Sequence, residues 1–341
     1  MRKRLLSIFN YVFFLGGGIF LVWWQLKSMT DIEKKEFYAA FQHADYWVVI
    51  PIVVMSLLSH VSRSMRWKLL MEPLGYNPSL KNVFAVTMVG YLANAAIPRL
   101  GEILKCTFLA RYERLKVDKL VGTIIVERTF DFVCYLLFIA LTVLIQIDVV
   151  GGYVKNKLET ITSAPGFPLW GKLIIVLGFF FLLWMLVKWM FTRFPNNKLI
   201  FKINNFIKGI GEGFRSIRNL KHRRAFILHT IFIWTMYLLQ IYLGFWAMDG
   251  TDHLGIKAAF SVLSLATLAM IATPGGIGSF PIFVGETLAI YGIISPVGTA
   301  FGWLMWGVAT GIIIVAGFAA LLVLPIINKH KNLHESSSVD T

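Results

Sequence analysis

Between Ile8 and Leu26 no residue carries a charge, and an α-helix of that length reaches across a hydrocarbon core of about 30 Å. Leu173 to Val187 with its flanks reads the same way. A chain with several such stretches has the bilayer, not a self-made core, as its main solvent. Composition agrees: 57% of residues are hydrophobic and 15% charged, against roughly 25% charged in an average soluble domain.

The opening Met1-Arg-Lys-Arg followed by an apolar run resembles a signal peptide, but the run exceeds the roughly 7–15 residues of such a core and no small-x-small cleavage pattern follows. It is expected to be a retained first transmembrane helix. The net charge of +15 is the excess of Lys and Arg that cytoplasmic loops carry, rather than a nucleic-acid footprint. Cys106 and Cys134 lie in or beside apolar segments, where a disulfide is not expected. His330 and His334 lack a third ligand, so neither a metal site nor a cofactor is expected.

Basic residues orient the segments. Arg2, Lys3 and Arg4 place the N-terminus in the cytoplasm; helices over about 8–26 and 46–65 cross out and back, leaving Arg66, Lys68 and Lys81 inside. Val83 to Ile97 is too short to span comfortably and has basic residues on both sides. With Pro98 and Gly101 as breakers it reads as a re-entrant hairpin whose tip is Pro98 to Glu102. Helices follow over about 121–147, 169–191 and 225–247. Ala258 to Ala272, the tip Thr273-Pro274-Gly275-Gly276-Ile277-Gly278-Ser279-Phe280-Pro281 and an apolar continuation to Ile294 make a second hairpin, before a last helix over about 299–325.

The fold class that follows is an all-α polytopic membrane protein of about six spanning helices and two re-entrant hairpins. A single membrane domain covers 1–330, with a polar cytoplasmic tail over 331–341. Helix–helix–hairpin–helix occurs twice, over about 8–147 and 169–325, in opposite orientations; such inverted repeats with interrupted segments point to a transporter core. Leu199, Ile203, Phe206, Ile210, Phe214 and Ile217, interleaved with basic residues, suggest an amphipathic helix on the inner leaflet.

Glu127, Arg128 and Asp131 stand within an apolar helix, Asp131 roughly 15 Å from Val121 and so near the midplane. Each unpaired charge there costs about 2.5–3.5 kcal/mol on insertion scales. Two readings stay open: an ion-pair staple between helices, or a binding and coupling site. The first hairpin adds Asn94, Arg99, Glu102 and Lys105. An Arg at a helix break holds phosphate in bidentate fashion; alternatively Arg99 pairs with Glu127 or Asp131. The Pro274-Gly275-Gly276-Ile277-Gly278 loop lacks the Lys-Ser or Lys-Thr of a phosphate loop and reads as an unwound tip. Glu286 reads as a further buried acid, and Arg63 and Arg66 as cations ending their helix by snorkelling or headgroup contact.

Arg63-Ser-Met-Arg66-Trp67, Gly90 with Asn94, Pro98-Arg-Leu-Gly-Glu102, Glu127-Arg128 with Asp131, and Pro274-Gly-Gly-Ile-Gly278 together resemble the lysylphosphatidylglycerol synthase transmembrane-region family over nearly the whole chain. The resemblance implies a flippase-like, lipid-handling membrane domain, with Arg99, Glu102, Glu127, Arg128 and Asp131 carried over as candidates. Lys105 stands where the family often has Arg, and Glu286 comes later than the usual acid after the glycine loop. The aminoacyl-transferring domain of fused members is not expected here. The expected function is binding or translocating a phosphate-bearing, anionic lipid in the cytoplasmic membrane, with both termini cytoplasmic. A membrane-embedded enzyme on a lipid-linked substrate, and a non-transporting partner of a lipid-modifying enzyme, remain alternatives. Expected partners are anionic lipid headgroups and not nucleic acid, with a homo-oligomer or a lipid-modifying enzyme as further candidates.

Overall fold

The computed structural model describes residues 16–146, 185, 217–218 and 220–329, and no strand occurs among them. The chain forms two compact units, one of residues 1–127 with 217–341 and one of residues 128–216. The expected helix over about 169–191 and the amphipathic helix over about 199–217 lie almost wholly outside the described residues, as do residues 1–15, which include the start of the first segment, and the tail over 331–341.

In the first unit, residues 16–28 form a helix, α1. Next comes α2 (Asp31–Gln42), which opens with a capping box: Glu33 N donates to Thr30 Oγ1 at 3.3 Å, and Thr30 N donates to Glu33 Oε2 at 2.7 Å. Hydrogen bonds from the Thr30 amide and hydroxyl hold the Glu33 carboxyl below its ordinary range. Then follow α3 (Val49–Met71), α4 (Leu80–Ala96), α5 (Leu100–Glu113) and α6 (Val117–Ile145). Later in the chain come α7 (Arg223–Gly244), α8 (Ile256–Ala272), α9 (Ser279–Ala289) and α10 (Ser295–Ile327). Among the described residues four helical stretches are long and apolar enough to cross a membrane: Tyr46–Leu74, Val117–Ile145, Arg223–Ala247 and Ser295–Ile327. The protein is thus a multi-pass membrane protein by its helices.

One boundary differs from the sequence reading. The helix expected to stop near 65 continues to Met71, so Arg66 and Lys68 belong to the helix and not to a loop. A charged residue ends a hydropathy window, but it does not end a helix when a partner inside the protein neutralises its cost.

The two short segments fold as helix pairs. α4 and α5 are joined by Ile97 to Arg99 and run back on each other: Ser79 N and Asn82 Nδ2, at the start of α4, donate to Glu113 Oε1, at the end of α5, at 3.0 and 2.6 Å. The turn is tighter than expected, because α5 begins at Leu100, so that Gly101 and Glu102 sit in its first turn. The two backbones touch at Gly90 and Gly101, where a Cβ on Gly101 would overlap the Gly90 carbonyl and the Asn94 amide.

The second pair, α8 and α9, is broken by a single 3-10 turn over Pro274–Gly276. Gly275, Gly276 and Gly278 there have φ of 61°, 73° and 72°, left-handed values that only glycine adopts without strain. The tips of both pairs meet: a Cβ on Gly275 would lie 3.9 Å from Ala95 Cα. Trp306 of α10 anchors the second tip by donating from Nε1 to Gly275 O at 2.7 Å. Helix α10 packs on both pairs, and α7 packs along α3.

Apart from Gln146 and Met185, the described chain of the second unit is the remainder of α6, in which Arg128 and Asp131 form an ion pair at 3.9 Å.

Candidate functional site

The densest cluster of buried charge lies in the first unit, around Glu127. Its side chain has no exposure, and three cations from two other helices reach it. Arg66 Nη2 of α3 lies 3.4 Å from Oε1, Arg63 Nη1 of α3 lies 3.8 Å from Oε1, and Lys105 Nζ of α5 lies 3.3 Å from Oε2. Arg63 and Arg66 share the end of α3 because three residues separate them, so both project from adjacent turns. Lys105 arrives because the hairpin folds α5 back alongside α4.

Aromatic and hydroxyl groups complete the surroundings. Lys105 Nζ sits 4.2 Å from the centroid of the Trp67 ring, and Arg66 lies 5.5 Å from that of Phe226, both cation–π distances. Trp67 is fixed by donating from Nε1 to Thr123 Oγ1 at 2.9 Å, and Arg66 Nη1 donates to Thr230 Oγ1 of α7 at 3.2 Å. Beside them Ser62 of α3 and His229 Nδ1 of α7 are hydrogen-bonded at 2.9 Å. Helices α3, α5, α6 and α7 therefore converge through polar side chains around Glu127.

The sequence candidates fare differently. Lys105 and Glu127 come together as ion partners. Asn94 and Glu102 meet inside the first hairpin, where Asn94 Nδ2 donates to Glu102 Oε1 at 3.2 Å and Asn94 Oδ1 accepts from Gly101 N at 2.8 Å. Asn94 thereby caps the start of α5 from the opposite arm. Arg99 sits at the tip beside Pro98, exposed, with φ 68°, and it makes no ion pair among the described residues. On Glu127 the hairpin's cation is Lys105 and not Arg99. Arg128 and Asp131 pair with each other in the second unit.

Glu286 requires a correction. It is exposed on α9, whose buried side holds Ser279, Pro281, Val284, Gly285, Thr287 and Leu288. Val284 and Leu288 beside it in sequence face the other way around the helix, which a linear reading misses. Arg63 and Arg66 also differ from expectation: the Arg66 side chain has no exposure and ends in Glu127, not in a headgroup region. The signal was present in the sequence, since Ser56, Ser59 and Ser62 recur every third residue just before Arg66 and mark one polar face of an apolar span.

Comparison with known proteins gives a consistent picture. A UPF0104 membrane protein of Methanocaldococcus jannaschii is 23% identical over 299 residues, covering 81% of this chain and 84% of its own length. A UPF0104 membrane protein of Methanothermobacter thermautotrophicus is 23% identical over 274 residues, covering 75% of this chain and 76% of its own. No solved structure matches. The family model described as lysylphosphatidylglycerol synthase TM region matches residues 7–317. The chain therefore belongs to the lysylphosphatidylglycerol synthase TM region family.

Proposed function

We propose that this protein is a flippase-like membrane protein that binds a phosphate-bearing lipid and moves it between leaflets of the cytoplasmic membrane. The observation that carries the reading is Glu127, buried among apolar helices with Arg63, Arg66 and Lys105 directed at its two oxygens. Buried charge on this scale inside membrane helices marks substrate and coupling sites more often than packing. Guanidinium and ammonium groups gathered at one place match the oxygens of a phosphate. The exposed Arg99 at the hairpin tip supplies a further cation along the path of the headgroup.

The paired segments support a transporter-like frame. In this reading α4 with α5 and α8 with α9 are re-entrant hairpins of two inverted repeats, both termini are cytoplasmic, and the meeting of the tips near Ala95 and Gly275 is where the repeats abut. The enzymatic alternative is weaker. A general base needs an oxygen open to substrate, whereas both Glu127 oxygens face cations.

The test is a lipid-movement assay with purified protein in liposomes, using fluorescent lipids of several headgroups. Movement of an intact phosphate-bearing lipid supports the reading. Recovery of a chemically altered lipid supports the enzyme instead, and the absence of both movement and alteration removes the flippase reading.

A further inference from the structure

Helix α3 buries an unusual run of polar side chains for a membrane span: Ser56, Ser59, His60, Ser62, Ser64 and Arg66. Most are satisfied. Ser59 donates to the Ser56 carbonyl at 2.7 Å, Ser64 to the His60 carbonyl at 2.9 Å, and Ser62 is bonded to His229. His60 stands apart from the serines. It is 8% exposed, its Nε2 reaches only Ser56 Oγ at 3.4 Å, and its Nδ1 has no hydrogen-bond partner. The ring lies 5.2 Å from that of Tyr91 on α4, so it is held between the scaffold helix and the first hairpin.

A buried polar atom without a partner is unfavourable, and a protein retains one where something else satisfies it. Arg63 follows His60 by one turn, and Arg66 follows by another, a rise of about 9 Å along α3 from His60 to Arg66. With the Ser56 hydroxyl donating to Nε2 the ring proton sits on Nδ1, and with the Arg63 guanidinium one turn along the same helix the matching ligand for that N–H is an anionic oxygen. We propose that His60 Nδ1, with Arg63, forms a second phosphate-oxygen subsite on α3, adjoining the Glu127 cluster. This rests on the function proposed above and names a position along the path: a phosphate-bearing group contacts His60 and Arg63 as well as Arg66 and Lys105. A lipid headgroup and free phosphate share this chemistry.

The test uses the full-length purified chain, titrated separately with short-chain phosphatidylglycerol and with inorganic phosphate. His60→Leu fills the ring's space without a polar atom, while His60→Asn places an amide near Nδ1. Loss of a hydrogen bond to a charged group weakens binding about tenfold or more. His60→Leu is therefore expected to bind phosphatidylglycerol about tenfold more weakly with an unchanged or higher thermal midpoint, and His60→Asn to stay near the parent. Weakened binding in both titrations assigns the contact to phosphate itself; weakening for the lipid alone assigns it to a headgroup. Parental lipid affinity in His60→Leu overturns the subsite, as does equal loss in both variants with a lowered midpoint, which marks a packing residue. If the parent binds neither ligand, the proposed function falls with it. If the parent binds, Glu127→Gln stops lipid movement and His60→Leu binds normally, only the subsite falls.

Discussion

Glu127 Oε1 lies 3.4 Å from Arg66 Nη2, and neither side chain has any exposure. Removing one partner of such a buried pair leaves an uncompensated charge, at a cost of about 3–5 kcal/mol, whereas replacing both partners by groups of similar shape is often neutral. Glu127→Gln is expected to insert into the membrane, lose lipid movement and unfold at a lower temperature. The double variant Arg66→Met with Glu127→Gln is expected to regain much of that thermal stability without regaining movement. Recovery of both stability and movement in the double variant would show that the pair is only a staple.

Arg99 holds φ 68° at the tip of the first helix pair, a left-handed conformation that costs a non-glycine residue about 1–2 kcal/mol. Arg99→Gly should therefore raise the thermal midpoint, by an amount equivalent to about 1 kcal/mol, while weakening lipid handling. Arg99→Lys tests the headgroup role directly, because an ammonium lacks the planar fork of a guanidinium. It is expected to keep parental stability and lose lipid-stimulated activity. Full activity in Arg99→Lys would remove the bidentate phosphate contact.

Gly101 meets Gly90 backbone to backbone, and the contact sets how closely α5 approaches α4. Gly101→Ala forces the arms apart, and overpacking of this kind typically costs about 1–3 kcal/mol. Because Lys105 follows Gly101 by one turn, the same change should draw Nζ away from Glu127 and reduce lipid movement as well as the thermal midpoint. Parental values for both measurements would contradict the packing account of this hairpin.

What the sequence disclosed follows from what kind of signal each feature leaves. Glu127 stood out because a carboxylate in an apolar run has no local reason to be there, and Lys105 because the Pro98-Arg99 break turns the chain back. Arg66 was harder to recognise: its charge sits at the edge of the hydropathy window, and its partner lies 61 residues away, a distance no local pattern spans. Glu286 misled for the opposite reason, since apolar neighbours along the chain do not show which side of a helix is covered. The Ser62–His229 and Arg66–Thr230 bonds between α3 and α7 depend on tertiary packing alone and left no mark beyond the spaced serines.

The bonds from Ser79 and Asn82 to Glu113 bring the two ends of the first helix pair together, and the proposed re-entrant hairpin puts both ends on the cytoplasmic side. Lys81→Cys and Arg111→Cys, both at exposed positions, should react with a membrane-impermeant thiol reagent from the cytoplasmic side only. Reaction of either one from outside would make α4 and α5 a through-crossing and remove the re-entrant assignment.

In the proposed function the cations around Glu127 serve a phosphate-bearing lipid. The most direct measurement is the rate at which liposomes containing the parent chain, or Glu127→Gln, transfer fluorescent phosphatidylglycerol between leaflets, with a neutral diacylglycerol analogue as control. The parent is expected to accelerate transfer of phosphatidylglycerol, Glu127→Gln to lose that acceleration, and neither to accelerate the phosphate-free analogue. Equal rates for parent and Glu127→Gln, or parental acceleration of the phosphate-free analogue to the same degree, would contradict that function.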